Sequence, residues 1–212
     1  MKKFLAVSAV IGCTGFAMAD TLTRGPVSYT QRTETVGSSY TPSPDLSGIV
    51  IPFDVTGIQS FDAPGAPGNT IVLLDAAAAA GLPSGTQVEM NGVGWDVVVE
   101  SFGASWLSEL GVAFGPQGGV AEINLRPGAG SNAPGGPTPF TSGGIIKFDT
   151  IPLPNIVLPN GMLQMEFFES FDDVAGAVDG QWVSGSLNIQ VTPEPASLSL
   201  LSLGALALLR RR

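Results

Sequence analysis

The chain has 212 residues, 44% of them hydrophobic and 13% charged, with 18 acidic groups, 9 basic groups and no histidine. That is one domain's worth of chain with tails, apolar enough to bury a core, and without histidine it has no Ser-His-Asp triad, Cys-His pair, His-ligated zinc or HExxH site. Between Asp20 and Thr192 four basic residues face 17 carboxylates, a net charge of −13; such a body repels nucleic acid and anionic lipid headgroups, so no nucleic-acid partner is expected.

The first element is an address. Lys2 and Lys3 precede an apolar run over 4–11, and Ala17-Met18-Ala19 is a small-x-small cleavage site. This pattern predicts a secretory signal peptide over 1–19, cut by signal peptidase so that Asp20 is the first mature residue. The run Val10-Ile11-Gly12-Cys13 competes as a lipidation site. If cleavage follows Ala19, Cys13 is discarded, and disulfides, thiol nucleophiles and Cys-ligated zinc go with it.

From Asp20 to Val191 the pattern is one of short β-rich runs divided by Gly/Pro turns. The runs fall at 27–36, 48–55, 70–74, 87–90, 94–102, 110–114, 121–125, 144–148, 162–168 and 184–191. Spacing of this kind predicts an all-β domain over 20–191, an antiparallel β-sandwich or jelly roll. Asp75 followed by five alanines, then Gly81 and Pro83, predicts one short capped turn of helix. The stretch 127–139, PGAGSNAPGGPTP, reads as a surface loop, and it lacks the GxxxxGK[ST] pattern of a phosphate cradle.

Two groups of residues carry candidate chemistry. Glu166, Glu169, Asp172, Asp173 and Asp179 crowd into one segment. Asp172, Asp173 and Asp179 are hard oxygen donors that a structural Ca²⁺ would take, although their spacing is not that of an EF-hand loop. The commoner reading of such a segment is a solvated acidic loop; a carboxylate pair for glycoside hydrolysis, which needs two carboxyls ~5–10 Å apart, is the remotest of the three. The second group is the three tryptophans, Trp95, Trp106 and Trp182. Trp95 and Trp182 lie in strand-like runs and read as core. Trp106, in a turn, is the candidate to stack on a sugar ring, with core packing as the commoner fate.

The segment GWDVVVESFGASWLSELGVAFGPQGG, with MEFFESFDDVAGAVDGQWVSGSLNIQV near the end, resembles the P-domain of the proprotein convertases. Glu109 and Leu110 match its first motif, and Gly180, Trp182 and Leu187 match its second. Three departures stand out: the histidine is missing, Glu109 replaces an Asp, and Ser184 replaces a Leu. The resemblance spans about 88–191 and implies a jelly-roll sandwich. In that family the domain accompanies a protease, and none precedes it here.

The chain closes on TPEPASLSLLSLGALALLRRR. Residues 196–209 would rise about 21 Å as a helix, short of a ~30 Å hydrocarbon core but able to span with its flanks drawn in. Pro193 and Pro195 isolate it from upstream structure. Arg210, Arg211 and Arg212 stand where a cytoplasmic anchor belongs. Pro193-Glu194-Pro195, the apolar run and the terminal arginines together resemble the PEP-CTERM sorting signal of Gram-negative bacteria, over 192–212. That resemblance implies export, a transient stay in the inner membrane, recognition of Pro193, Glu194 and Pro195 by an exosortase, and delivery to the outer envelope or extracellular matrix, where such systems accompany exopolysaccharide. The expected protein has no catalytic role and no cofactor apart from a structural Ca²⁺. It acts structurally or adhesively, or alternatively as a carbohydrate- or exopolysaccharide-binding module.

Overall fold

A computed structural model describes residues 48–151, 153–173 and 176–194, together with the backbone of two short strands at 22–24 and 33–35. The expected signal peptide, the apolar tail, Pro195 and Arg210 to Arg212 lie outside the described residues. No described helix is long and apolar enough to cross a membrane.

The described strands are β1 (Leu22–Arg24), β2 (Thr33–Thr35), β3 (Ile49–Asp54), β4 (Ile58–Ser60), β5 (Thr70–Asp75), β6 (Val88–Ser101), β7 (Leu110–Pro116), β8 (Ile123–Leu125), β9 (Thr138–Thr141), β10 (Ile146–Lys147), β11 (Ile156–Leu158), β12 (Met162–Glu169) and β13 (Gly180–Pro193). One sheet runs β1-β8-β7-β12-β5-β2, antiparallel except where β2 lies parallel to β5. The other is built on the long antiparallel pair β6 and β13. Short strands tile the outer edges of that pair: β9, β10 and β11 along β6, β3 and β4 along β13. The sandwich expected from the turn spacing is what forms.

Alternation decides the core. In β12, Leu163, Met165 and Phe167 face the second sheet and are fully buried. From the other sheet Trp182, Leu187, Ile189 and Val191 meet them, with Val93, Trp95, Val97 and Val99 of β6. The Phe167 and Trp182 rings meet edge to face across the sandwich, centroids 5.3 Å apart at 87°. That geometry suits the ring quadrupoles and pins the two sheets together.

Two expected strands, 87–90 and 94–102, are one. The intervening Asn91-Gly92 is a turn dipeptide in sequence, but here it is absorbed by an irregularity in the ladder. Gln190 pairs with Gly92 and Val191 with Met90, so Asn91 is the extra residue. Gly92 is needed because β10 lies over it: a Cβ there would sit 2.9 Å from Ile145 Cγ2 and 3.0 Å from the Ile146 carbonyl. The alanine run forms helix α1 (Ala76–Ala79), where the Asp75 side chain accepts from the Ala78 N–H and Ala76 and Ala77 are buried.

The loop expected over 127–139 is tied down. Leu107 and Ser108 donate to the Ala133 and Ser131 carbonyls, and Ser101 donates to Gly135. Gly128 makes the close approach feasible, since a Cβ there would lie 2.3 Å from the Leu107 oxygen.

Candidate functional site

The strand register brings four loops to one end of the sandwich. Glu169, the last residue of β12, pairs with Leu110, the first of β7, while Phe167 pairs with Thr70, the first of β5. Gly180, opening β13, lies between Ser101 at the end of β6 and Ser60 at the end of β4. The loops 61–69, 102–109 and 126–137 and the described residues of 170–179 therefore share this end. Hydrogen bonds knit them: Glu169 N–H to the Asp62 carbonyl at 3.0 Å, Ser170 N–H to the Glu109 carbonyl at 2.9 Å, and Phe102 N–H to the Asp179 carbonyl at 2.8 Å.

Seven carboxylates gather here: Asp62, Glu109, Glu166, Glu169, Asp172, Asp173 and Asp179. Strand alternation divides them. Glu169 continues the inward set of Leu163, Met165 and Phe167, so its carboxyl sits at the mouth between the sheets. It is fully buried, and neither of its oxygens has a hydrogen-bond partner. Carboxylate oxygens of Glu109, Glu169 and Asp173 all lie within 4.8 Å of one another. Asp179 Oδ2 is also buried and unpartnered, in a residue 3% exposed. The fully buried Ser105 hydroxyl faces Glu169 beyond good hydrogen-bonding geometry, near enough to favour its ionised form slightly.

Glu166 points to the opposite face of the same sheet. Its Oε1 accepts from Asn69 Nδ2 at 2.8 Å and from the Gly65 N–H at 2.7 Å. It therefore anchors the 61–69 loop and does not join the mouth. Asp62 has a bridging role, its Oδ1 accepting from the Gly176 N–H at 2.8 Å.

Burial dominates the electrostatics. Loss of water pushes the Glu169 carboxyl up to about 9, helped by the neighbouring charges of Asp179 and Glu109. Burial pushes Asp179 to about 6, with Asp172, Asp173 and Asp62 adding repulsion. Glu166 is also raised by burial, against the two hydrogen bonds that favour its ionised form. Arg126 opens the 126–137 loop and is the basic residue that the sequence contributes to these four loops.

Exposed aromatics rim the same end. Trp106 is 40% exposed, Phe102 37% and Phe171 63%. The backbone N–H of Trp106 donates to Glu109 Oε2 at 2.7 Å, joining the aromatic turn directly to the acidic mouth. The core packing that is the usual fate of tryptophan does not occur for Trp106, because its turn lies beyond the last rung of β6. Trp95 and Trp182 are buried as expected.

Of the three carboxylates singled out in sequence, Asp173 meets Glu109 and Glu169, Asp179 lies against Glu169, and Asp172 stays exposed near Asp179. Glu109 was legible only as a stand-in for the Asp of a P-domain motif. It lies some sixty positions from Asp173 in sequence, and nothing local links them.

At the other end of the sandwich β13 carries on through Thr192 to Pro193, which pair with Glu89 and Val88. Gln87 Nε2 donates to Glu194 Oε1. The boundary expected between 191 and 192 thus falls inside a strand. Proline ends this ladder at its last rung, where it needs no N–H to continue. Residues 191–212 match the PEP-CTERM protein-sorting motif. The motif makes this an exported protein, sorted through a membrane-anchored stage, with exosortase as its processing partner. No curated protein matches the chain. Pro193 and Glu194 of the sorting signal are therefore docked on the sandwich.

Proposed function

We propose that this exported sandwich is a non-catalytic carbohydrate-binding module that engages exopolysaccharide of the outer envelope or matrix through its loop-bearing end. The sequence leaves an adhesive or structural scaffold and a saccharide-binding module both open. The exposure of Trp106, on a turn joined to the acidic loops, favours the second. An indole left 40% in water, at the same end as the exposed Phe102 and Phe171, is apolar surface that the fold leaves uncovered. Flat aromatic faces beside carboxylates suit a sugar, which offers C–H faces for stacking and hydroxyls for hydrogen bonding.

Two features support this reading. Glu169 has no exposed surface, so it cannot reach a glycosidic oxygen as a general acid would. And the sorting tail departs beside Val88 while the aromatics follow Ser101, at opposite ends of β6. Fourteen strand residues separate them by roughly 40 Å, so the binding end points away from the tail's membrane. Signal peptidase at Ala19 completes the route.

The test is affinity electrophoresis of the protein through gels containing polysaccharide from its host. The wild-type chain should be retarded, and Trp106→Ala should weaken binding about tenfold, the loss of one aromatic contact. Equal mobility with and without polysaccharide would return the domain to the scaffold reading.

A further inference from the structure

We infer that Glu109, Glu169, Asp173 and Asp179 form a divalent-cation site, suited to Ca²⁺, at the mouth between the two sheets. The argument does not depend on saccharide binding. It starts from Glu169, which is fully buried with both oxygens unpartnered, in a residue that strand alternation aims between the sheets. A buried carboxyl without a donor is rare, because its lost hydration goes unreplaced. Two further buried groups repeat the pattern beside it, Asp179 Oδ2 and the neutral Ser105 hydroxyl. Among the described residues, Glu169 and Asp179 are buried side by side with the Ser105 hydroxyl as the one donor at Glu169, and a divalent cation would neutralise both carboxylates at once, which one hydroxyl proton cannot.

The geometry fits. Glu109, Glu169 and Asp173 offer oxygens within 4.8 Å of one another. Oxygens bound to one Ca²⁺ at 2.3–2.6 Å are separated by at most about 5 Å. The donors are all hard oxygens, and the mature body holds neither histidine nor cysteine, which disfavours zinc and copper. Mg²⁺ demands a tight octahedron and keeps its waters, whereas carboxylates from two loops and a strand end suit the looser shell of Ca²⁺. Asp173 is exposed, which leaves an entry path. The cation would join Glu109 of one loop and Asp173 and Asp179 of another to the end of β12.

The experiment uses the full chain purified in chelator and dialysed, with isothermal titration of CaCl₂ and thermal melts in CaCl₂ or chelator. One Ca²⁺ should bind with a Kd of about 10⁻⁴ to 10⁻³ M, as in extracellular modules, and should raise Tm. Asp173→Asn, at an exposed position that the fold does not need, should weaken Kd about tenfold. Glu169→Gln should abolish the Ca²⁺-dependent rise in Tm while matching or exceeding the wild-type Tm in chelator, because the amide carries no charge to bury. Asp54→Asn, on an exposed strand end remote from these loops, should leave both readouts unchanged. The site is overturned if wild-type Tm is the same in CaCl₂ and chelator. It is equally overturned if Glu169→Gln and Asp173→Asn lower Tm alike in both, or if Asp54→Asn reduces the Ca²⁺ effect as much as Asp173→Asn. Trp106→Ala, measured in parallel, should keep the Ca²⁺ shift, so a failed saccharide assay leaves the cation site standing.

Discussion

The two ends of the sandwich solve the same problem in opposite ways. Both must close a slot between sheets. At the tail-proximal end the plug is α1, whose buried Ala76 and Ala77 pack on the core. Its polar groups are assigned: Asp75 caps Ala78 and accepts from the Ser84 hydroxyl, Ala76 and Ala77 donate to Gly161, and Asn160 pairs with Gln117. At the far end the plug is made of carboxyls, and Glu169, Asp179 and Ser105 are left without partners. Single unpartnered side-chain amides occur elsewhere in the sandwich, at Asn91 and Gln190, but among the described residues only at the far end do buried carboxyls crowd against one another, and that is where a ligand can supply what the chain does not.

The sharpest way to break this comparison is pH. With chelator present, Glu169 is raised from 4.5 to about 9 and Asp179 from 3.8 to about 6 on folding. A carboxyl with a raised folded pKa binds more protons folded than unfolded, so its contribution is fully present below the unfolded value and is lost as pH rises through the folded one. The groups facing Glu169 are Asp179 and Glu109, with Asp173 close by. Those facing Asp179 are Asp172, Asp173 and Asp62, and Arg126 is on the adjoining loop. Melts in chelator should therefore lose Tm steadily from about pH 4 to about pH 9, the largest effect expected here. CaCl₂ should restore most of that loss at pH 8 and little at pH 5. A flat profile in chelator would mean that these carboxyls are solvated and would remove the contrast between the two ends.

The alanine end gives a smaller effect that should ignore calcium. Ala77 lies against Gly161, where a Cβ would come within 2.6 Å of the Ala77 Cβ. Ala77→Leu should overpack it and cost about 1–3 kcal/mol in denaturant unfolding, equally with CaCl₂ and with chelator. A calcium-dependent loss would mean that the two ends are coupled. The smallest change in stability belongs to Glu194→Ala, about 0.5–1.5 kcal/mol for the lost hydrogen bond from Gln87. Its main effect should be on processing: intact mass from the native host should show the chain exported but the tail uncut. Normal processing would take Glu194 out of the recognition signal.

How far the sequence could be read differs by element. The strands 48–55, 70–74, 110–114 and 162–168 each stand close to the observed β3, β5, β7 and β12, because each has enough β-branched and aromatic residues to bury one face. The short strands β4, β9 and β11 carry no such signal. They exist because the long edges of β6 and β13 need partners. Asn91-Gly92 misleads for a related reason: local turn preference is overridden when a ladder continues on both sides of it. At the site, Asp173 and Asp179 stand out as local crowding, but whether crowded carboxyls are solvated or buried depends on what covers them.

What the sequence by itself determined is whatever is encoded locally: the sorting motif, the β character set by alternation and turns, the helix cap at Asp75, and the exclusion of histidine chemistry. Tertiary structure decided the rest. It placed Glu109 beside Glu169 and Asp173, left Trp106 in water while burying Trp182, and drew Pro193 and Glu194 of the sorting signal onto the sandwich. The physical reason is that burial and proximity come from strand register between segments distant in the chain. Register is set by the whole core at once, so no stretch of the chain carries it alone.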